Sequence, residues 1–274
     1  MALGQRIFYR YVLCNGFMHN IDMCFEKYYR RQFLSDRRLI MAKYKRVLLK
    51  LSGEALAGPN KTGFDEATCL GVARQVKELV DSGIEVGIVT GGGNFWRGRT
   101  SGNIDRTKAD QIGMLATVMN CIYVSEIFRS VGIRTSVLTP FECGSFTKLF
   151  SKDRVNKYFS KGMVVFFAGG TGHPYFSTDT STVLRAVEIE ADIILSAKSI
   201  DGVYDADPAV NPGAKKYDEI SIDNVINNRL GVIDLAAAVL CMENHMPMMI
   251  FGLNEENSIV NTVNGVTKGT LVTA

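Results

Sequence analysis

The chain has 274 residues, of which 46% are hydrophobic and 22% charged, enough for one large or two small domains with a sizeable core. Its net charge of +3 is too small to argue for nucleic acid or an anionic membrane as partner. Six scattered cysteines form no CxxC or Cys/His cluster, which argues against a zinc site or a disulfide framework and for reduced thiols in a cytoplasmic protein.

Residues 1–40 carry seven Lys/Arg against three Asp/Glu, so the remaining body is close to neutral. Arg6, Arg10, Asn15 and His19 interrupt any signal-type apolar run, and Asp22, Glu26 and Asp36 weigh against a transit peptide. Met41-Ala42-Lys43-Tyr44-Lys45 opens directly into a strand. The expected division is an N-terminal extension, 1–40, loosely packed or derived from upstream sequence, and a body, 41–274. No apolar run is read as long enough to span a membrane.

The body opens with Arg46–Leu51, an apolar run typical of a strand covered on both faces. Lys50 inside that run is costly to bury unless an anion meets it, and Ser52-Gly53 supplies a turn that can face one. The lysine precedes its glycine, so this is not a Walker loop. Gly58 to Gly63 reads as a loop. Leu70, Ala73, Val76 and Val80 then predict an amphipathic helix.

A strand over 84–89 runs into Gly91-Gly92-Gly93-Asn94, with Arg97 within reach of a phosphate. A long helix is predicted from Thr107 to Val131, with Thr107 and Asp110 as a capping pair. Asp110 has a second reading, as acceptor for a sugar hydroxyl pair. A strand over 133–138 is followed by an irregular stretch, 140–161, with room for one short helix.

The strand 163–168 ends in Gly169-Gly170-Thr171-Gly172, the third glycine-marked strand end. Ser177 or Thr178 can cap the next helix, placing Asp179 in its first turn. There Asp179 complements the helix dipole, or orients Lys50 or a metal. His173 lacks a companion histidine, so its residue type gives no case for a metal ligand. A strand over 192–197 leads into Lys198 and the turn at Asp201-Gly202; Tyr204 there suits base stacking or plain packing. A helix over 233–245, a strand over 248–251, a short helix over 255–263 and a strand over 270–272 complete the chain.

Strands and helices alternate throughout, which predicts a three-layer α/β/α sandwich with a mostly parallel central sheet. All three glycine loops follow strands, so all three fall on the carboxyl edge where such sheets bind ligands. Lys50 and Arg97 with Asp110 and Asp179 suit two anionic ligands meeting face to face, and hence phosphoryl transfer.

Five motifs in order carry a resemblance over about residues 41–274. They are Lys50-Leu51-Ser52-Gly53-Glu54, Gly91-Gly92-Gly93-Asn94-x-x-Arg97-Gly98, Asp110-x-x-Gly113 through Asn120, Thr171-Gly172-x-Pro174-x-Phe176-x-Thr178-Asp179, and Asp201-Gly202-Val203-Tyr204-x-x-Asp207-Pro208. Together they resemble the bacterial UMP kinases of the amino acid kinase superfamily. The Asp110 helix and the Thr171–Asp179 loop set this pattern apart from amino acid and carbamate kinases.

The resemblance implies phosphoryl transfer from ATP, with magnesium carried by the nucleotide and no direct protein ligand to the metal. Lys50, Leu51, Ser52, Gly53, Gly93 and Arg97 would hold ATP phosphates, and Tyr204 and Asp207 the adenosine side. Gly92, Asp110, Thr171, Gly172, His173, Pro174, Tyr175, Phe176, Ser177 and Thr178 would hold UMP, with Asp110 on its ribose. Lys50, Arg97 and Asp179 would form the catalytic set. The resemblance also implies a homohexamer activated by GTP and inhibited by UTP, the loop Gly58, Pro59, Asn60, Lys61, Thr62, Gly63 matching the region tied to GTP. The extension over 1–40 and Lys198 depart from the pattern, and Lys198 is left as a phosphate contact or an outward-pointing side chain. A kinase for another acceptor, or a nucleotide sensor without turnover, are the competing classes.

Overall fold

Arg46–Leu51 (β1) forms the centre of the sheet, with every residue from Val47 onward buried. The structure, a computed structural model, describes residues 44–97, 102, 104–266 and 268–274. The expected boundary between extension and body lies outside them. A five-residue helix, Gly53–Ala57 (α1), follows β1 at once. Glu66–Asp81 (α2) is capped by Asp65, whose carboxylate accepts from the Thr68 N–H at 2.7 Å. Its buried stripe is Cys69, Val72, Ala73, Val76 and Leu79; Ala73 and Val76 are as expected, while Leu70 and Val80 are only partly buried at its margins.

Glu85–Thr90 (β2) pairs parallel with β1 along its whole length. Arg106–Ser130 (α3) is 25 residues long, about 38 Å of helix. Asp105, not Thr107, is its cap and accepts from the Lys108 N–H at 3.1 Å. Asp110 therefore lies deeper in the helix than a capping pair requires. Although α3 is long and apolar enough to cross a membrane by length and composition, half of its apolar window is buried inside the protein. Its inner face, with Ala116, Val124 and Phe128, packs on the sheet as a core helix.

Thr135–Thr139 (β3), Lys148–Leu149 (β4), Lys152–Phe159 (α4), Val164–Phe167 (β5) and Thr178–Glu188 (α5) come next. The irregular stretch thus contains a two-residue strand as well as its helix. Ile193–Lys198 (β6) pairs parallel with β1 on the side away from β2. Val203–Tyr204 (β7) and Lys216–Tyr217 (β8) form a separate antiparallel hairpin. Glu219–Ser221 (β9), Ile222–Asn227 (α6), Leu235–Glu243 (α7), Met248–Gly252 (β10), Ser258–Val263 (α8) and Thr270–Thr273 (β11) finish the chain.

Among the described residues the main sheet has nine strands in the order β4-β3-β5-β2-β1-β6-β10-β11-β9. Only β10 and β11 pair antiparallel within it. The fold is the expected α/β architecture with a mostly parallel sheet. From β2 the chain passes to β3 and β4 at the far edge, returns to β5 between β3 and β2, and then crosses to β6 on the other side of β1. The carboxyl ends of β5, β2, β1 and β6 are consecutive, so the segments that follow them share one edge of the sheet.

Candidate functional site

Each of those four strand ends delivers one part of the site. At the end of β1, Lys50 is only 8% exposed, and its ammonium forms an ion pair with the Asp179 carboxylate. Ser52 caps α1, its hydroxyl accepting from the Ala55 N–H at 3.1 Å. Gly53 is required by close approach: a Cβ there would lie 2.6 Å from Asn94 Oδ1 and 2.8 Å from Gly91 O.

At the end of β2, the triglycine turn packs against α3. A Cβ on Gly92 would stand 3.0 Å from Gly113 O and 3.1 Å from Ala116 Cβ. None of the three glycines has a positive φ, so their role is clearance and not a left-handed turn. Phe95 and Trp96 both donate their N–H groups to Gly92 O at 3.0 Å, folding the turn back on itself. The Trp96 indole donates to Ala109 O at 2.8 Å, and Arg97 forms a half-exposed ion pair with Glu54.

Beyond β5, the Gly169–Ser177 loop is held to α3 at two points. Gly169 N–H donates to Thr117 Oγ1 at 2.8 Å, and Tyr175 N–H donates to Asp110 Oδ2 at 2.8 Å. Arg106 Nε donates to the same Asp110 oxygen at 2.8 Å and lies over the Tyr175 ring at 5.5 Å. Tyr175 has φ +71°, a conformation costly for a bulky residue, so the loop is held there by its bonds to α3. Ser177 then caps α5, accepting from the Asp179 N–H at 2.9 Å, which places Asp179 in the first turn.

These segments enclose a cavity of about 400 Å³. Gly92, Gly93 and Arg97 line it from β2, Asp110, Gly113 and Met114 from α3, and Thr171, His173, Phe176 and Thr178 from the loop. Most of the residues expected to hold UMP therefore meet in one place. Asp110 is not half of a capping pair; it serves as an internal clamp and as part of the cavity wall. Gly172, Pro174 and Tyr175 belong to the loop without lining the cavity.

The residues expected on the ATP side are arranged differently. Lys50 to Gly53 stand at the β1 end. Tyr204 donates its hydroxyl to Asp201 at 2.7 Å, and Lys216 donates to the other Asp201 oxygen at 2.7 Å. Asp207 Oδ1 accepts from the Ala209 N–H at 2.9 Å and shapes the following turn. Tyr204 and Asp207 thus sit at the β7–β8 hairpin, outside the cavity. The loop Gly58–Gly63 lies on neither ligand side; Gly63 O accepts from Asn94 Nδ2 at 2.7 Å.

At the end of β6, Lys198 does not point outward. It donates to Val232 O, and burial pushes its ammonium pKa down, with Asp179 opposing and Lys50 reinforcing that shift. Asp234, which the sequence reading passed over, caps α7 through the Ala237 N–H at 2.9 Å and accepts from Ser177 and from Thr180 at 3.1 Å. It ties the start of α5, and so Asp179, to α7. Arg106 was legible as an i, i+4 partner of Asp110. Asp234 had no local signal, being 57 residues from Ser177.

Fold and site together define an α/β protein whose sheet edge carries a lysine–aspartate ion pair beside a glycine-lined cavity. The model of the amino acid kinase family matches residues 45–252, and the chain belongs to that family. Among solved structures it is similar to the UMP kinase of Bacillus anthracis, with 35% identity, a TM-score of 0.80, and coverage of 84% of this chain and 96% of that one. It is equally similar to the UMP kinase of Ureaplasma parvum, with 34% identity, a TM-score of 0.80, and coverage of 85% and 100%.

Proposed function

We propose that the chain transfers the γ-phosphoryl group of Mg-ATP directly to UMP, giving UDP and ADP. The observation that carries this reading is the cavity of about 400 Å³ whose wall combines Asp110, Arg97 and the Thr171–Thr178 loop, with the Lys50–Asp179 pair beside it. The likeness to two UMP kinases supports the choice of acceptor.

UMP occupies the cavity with its ribose toward Asp110 and its phosphate toward Gly92. ATP phosphates lie over Ser52, Gly53, Gly93 and Arg97, and the adenosine lies toward Tyr204 and Asp207. Lys50, oriented by Asp179, meets the transferring group, where fixed positive charge lowers the barrier most. The acceptor phosphate is already nucleophilic, so no general base is required. With Asp179 paired to Lys50 and Asp110 bonded to Arg106 and the Tyr175 N–H, the carboxylates of the site are already engaged, which suits a magnesium ion that takes its oxygens from phosphates and water. When bound, magnesium neutralises charge on the β- and γ-phosphates.

The reading extends to assembly and control. Ile112, Leu115, Met119 and Ile122 are 39–52% exposed on the outer face of α3. Their positions are symmetric about Thr117, with Lys108 and Glu126 at matching distances beyond. Two copies of α3 laid antiparallel would pair these apolar residues and set Lys108 against Glu126, as a twofold contact requires. That supports self-association as a step toward a homohexamer. GTP activation and UTP inhibition, a cytoplasmic location, and a catalytic unit comprising 41–274 with 1–40 as an accessory extension belong to the same proposal.

The direct test is ADP formation by the full chain with Mg-ATP and UMP, CMP, dUMP or no acceptor, repeated on residues 41–274. Turnover confined to UMP is expected for both. Nucleotide binding without turnover by the full chain would point to a sensor instead.

A further inference from the structure

Three segments meet at a buried pair of amides that the proposed chemistry does not use. Asn94 follows the triglycine turn and is 1% exposed; Asn120 lies on the inner face of α3 and is fully buried. The two side chains pair reciprocally. Asn94 Nδ2 donates to Asn120 Oδ1 at 3.1 Å, and Asn120 Nδ2 donates to Asn94 Oδ1 at 2.7 Å. Each amide also holds one backbone carbonyl. Asn120 Nδ2 donates to Gly91 O at 2.6 Å, and Asn94 Nδ2 donates to Gly63 O at 2.7 Å. Gly63 N–H returns a bond to Asn94 O at 3.3 Å.

The surroundings make this a junction and not an incidental contact. Phe64 stacks on Tyr123 at 3.8 Å between ring centres and meets Phe95 edge-on at 5.4 Å. Each aromatic ring follows closely on a bonded residue: Gly63, Asn94 and Asn120. Gly53 packs directly against Asn94 Oδ1, so the β1 end is in contact with the same amide. Both amides are enclosed by protein, so a rotated amide would leave donors and carbonyls unpaired together.

We infer that Asn94 and Asn120 are positioning residues that clamp the Gly91–Gly93 turn in its phosphate-receiving shape and lock it to the exposed loop ending at Gly63. This rests on the phosphotransfer reading above for its catalytic consequence, but not for the clamp itself. Gly91 O cannot turn without breaking the Asn120 bond, and Asn94 cannot move without drawing Gly63. Whatever displaces the 58–63 loop is therefore felt at the turn that faces the phosphates.

The test uses the full chain with Asn120→Ala and Asn94→Ala, and Asn120→Asp as a same-shape variant should alanine prevent folding. Folded protein is confirmed by thermal melting, then hydrogen exchange and steady-state kinetics are measured. Exchange is expected to rise in 91–95 and in 58–64 together, in either single variant. With UMP and Mg-ATP, kcat is expected to fall at least about 30-fold while UMP affinity by calorimetry changes less than about fivefold, as for a group acting through transition-state alignment. A folded variant that keeps wild-type kcat would overturn the positioning role. Faster exchange in 91–95 alone would overturn the link to the loop. If the unmodified protein phosphorylates no UMP, the functional reading fails, and exchange still decides the clamp.

Discussion

Lys50 shows how a single side chain ties stability to turnover. Burying an ion pair costs several kcal/mol of desolvation, and replacement of the whole pair by apolar residues of similar size is often neutral or stabilising. Lys50→Met removes only one partner and deprives the Asp179 carboxylate of its lysine, so it should lower the melting temperature somewhat while lowering kcat by about 100-fold or more, the scale for losing one fixed charge from a phosphoryl site. Asp179→Asn should cost more stability, because the Lys50 ammonium it leaves uncompensated is the more buried of the two charges, at a cost of up to about 3 kcal/mol. Chemical denaturation of the two variants, read against their turnover, separates these expectations. The cysteines make a simpler case. Burial pushes the Cys69 thiol up to about 11 and the Cys121 and Cys241 thiols up to about 12. At neutral pH these three should resist alkylation in the folded protein while the half-buried Cys143 reacts, as mass mapping after brief iodoacetamide treatment would show.

At the level of elements, the start of α5 is where geometry is set. Ser177 caps the helix and bonds to Asp234, and Asp179 follows two residues later. Asp234→Ala removes an acceptor shared by Ser177, Thr180 and the Ala237 N–H, so it should cost about 1–2 kcal/mol for the lost cap and also lower kcat. A variant that loses stability with unchanged kcat would show that α5 holds Asp179 without help from α7. The β7–β8 hairpin carries a pH signature. The Lys216 hydrogen bond holds the Asp201 carboxyl below its ordinary range, with Tyr204 adding to it. A depressed carboxylate pKa contributes stability that is full above the unfolded value, near 4, and is lost as pH falls through the folded one. Lys216→Met should therefore flatten the loss of stability below about pH 4 and leave that near pH 7 lower than in the parent. Melts across that range check it.

For the whole molecule, the proposed self-association makes the outer face of α3 the surface to test. Leu115 and Met119 are about half exposed and flank the symmetry point of the helix. A double substitution, Leu115→Glu with Met119→Glu, places four like charges in a twofold contact and should shift sedimentation toward the monomer. Monomer fold should survive, since neither side chain is in the core. An assembly unchanged by these charges would remove α3 from the interface. The same helix presents Asp110, Met114 and Thr117 to the cavity. Self-association through its outer face would therefore brace the wall of the site.

Much of this was readable in the residues. Apolar runs such as 46–51 and 192–197, glycine at three strand ends, and helical spacing between them depend on local covalent geometry and period, so strand order aside, the α/β class followed. The Lys50, Gly91–Gly93 and Thr171–Asp179 motifs announced a phosphate edge for the same reason, since anion-facing turns need glycine and a nearby charge. Local pattern gave less help with caps and with the margins of a face, where Asp105 displaced Thr107 and Cys69 and Leu79 took the buried places expected of Leu70 and Val80. Pairings across long separations were out of its reach. Nothing near Asn94 names Asn120 or Gly63, and nothing near Ser177 names Asp234. Those contacts exist because the parallel sheet brings four strand ends side by side and dehydrates what lies between them. A buried polar group must then find its partner wherever the packing happens to place one.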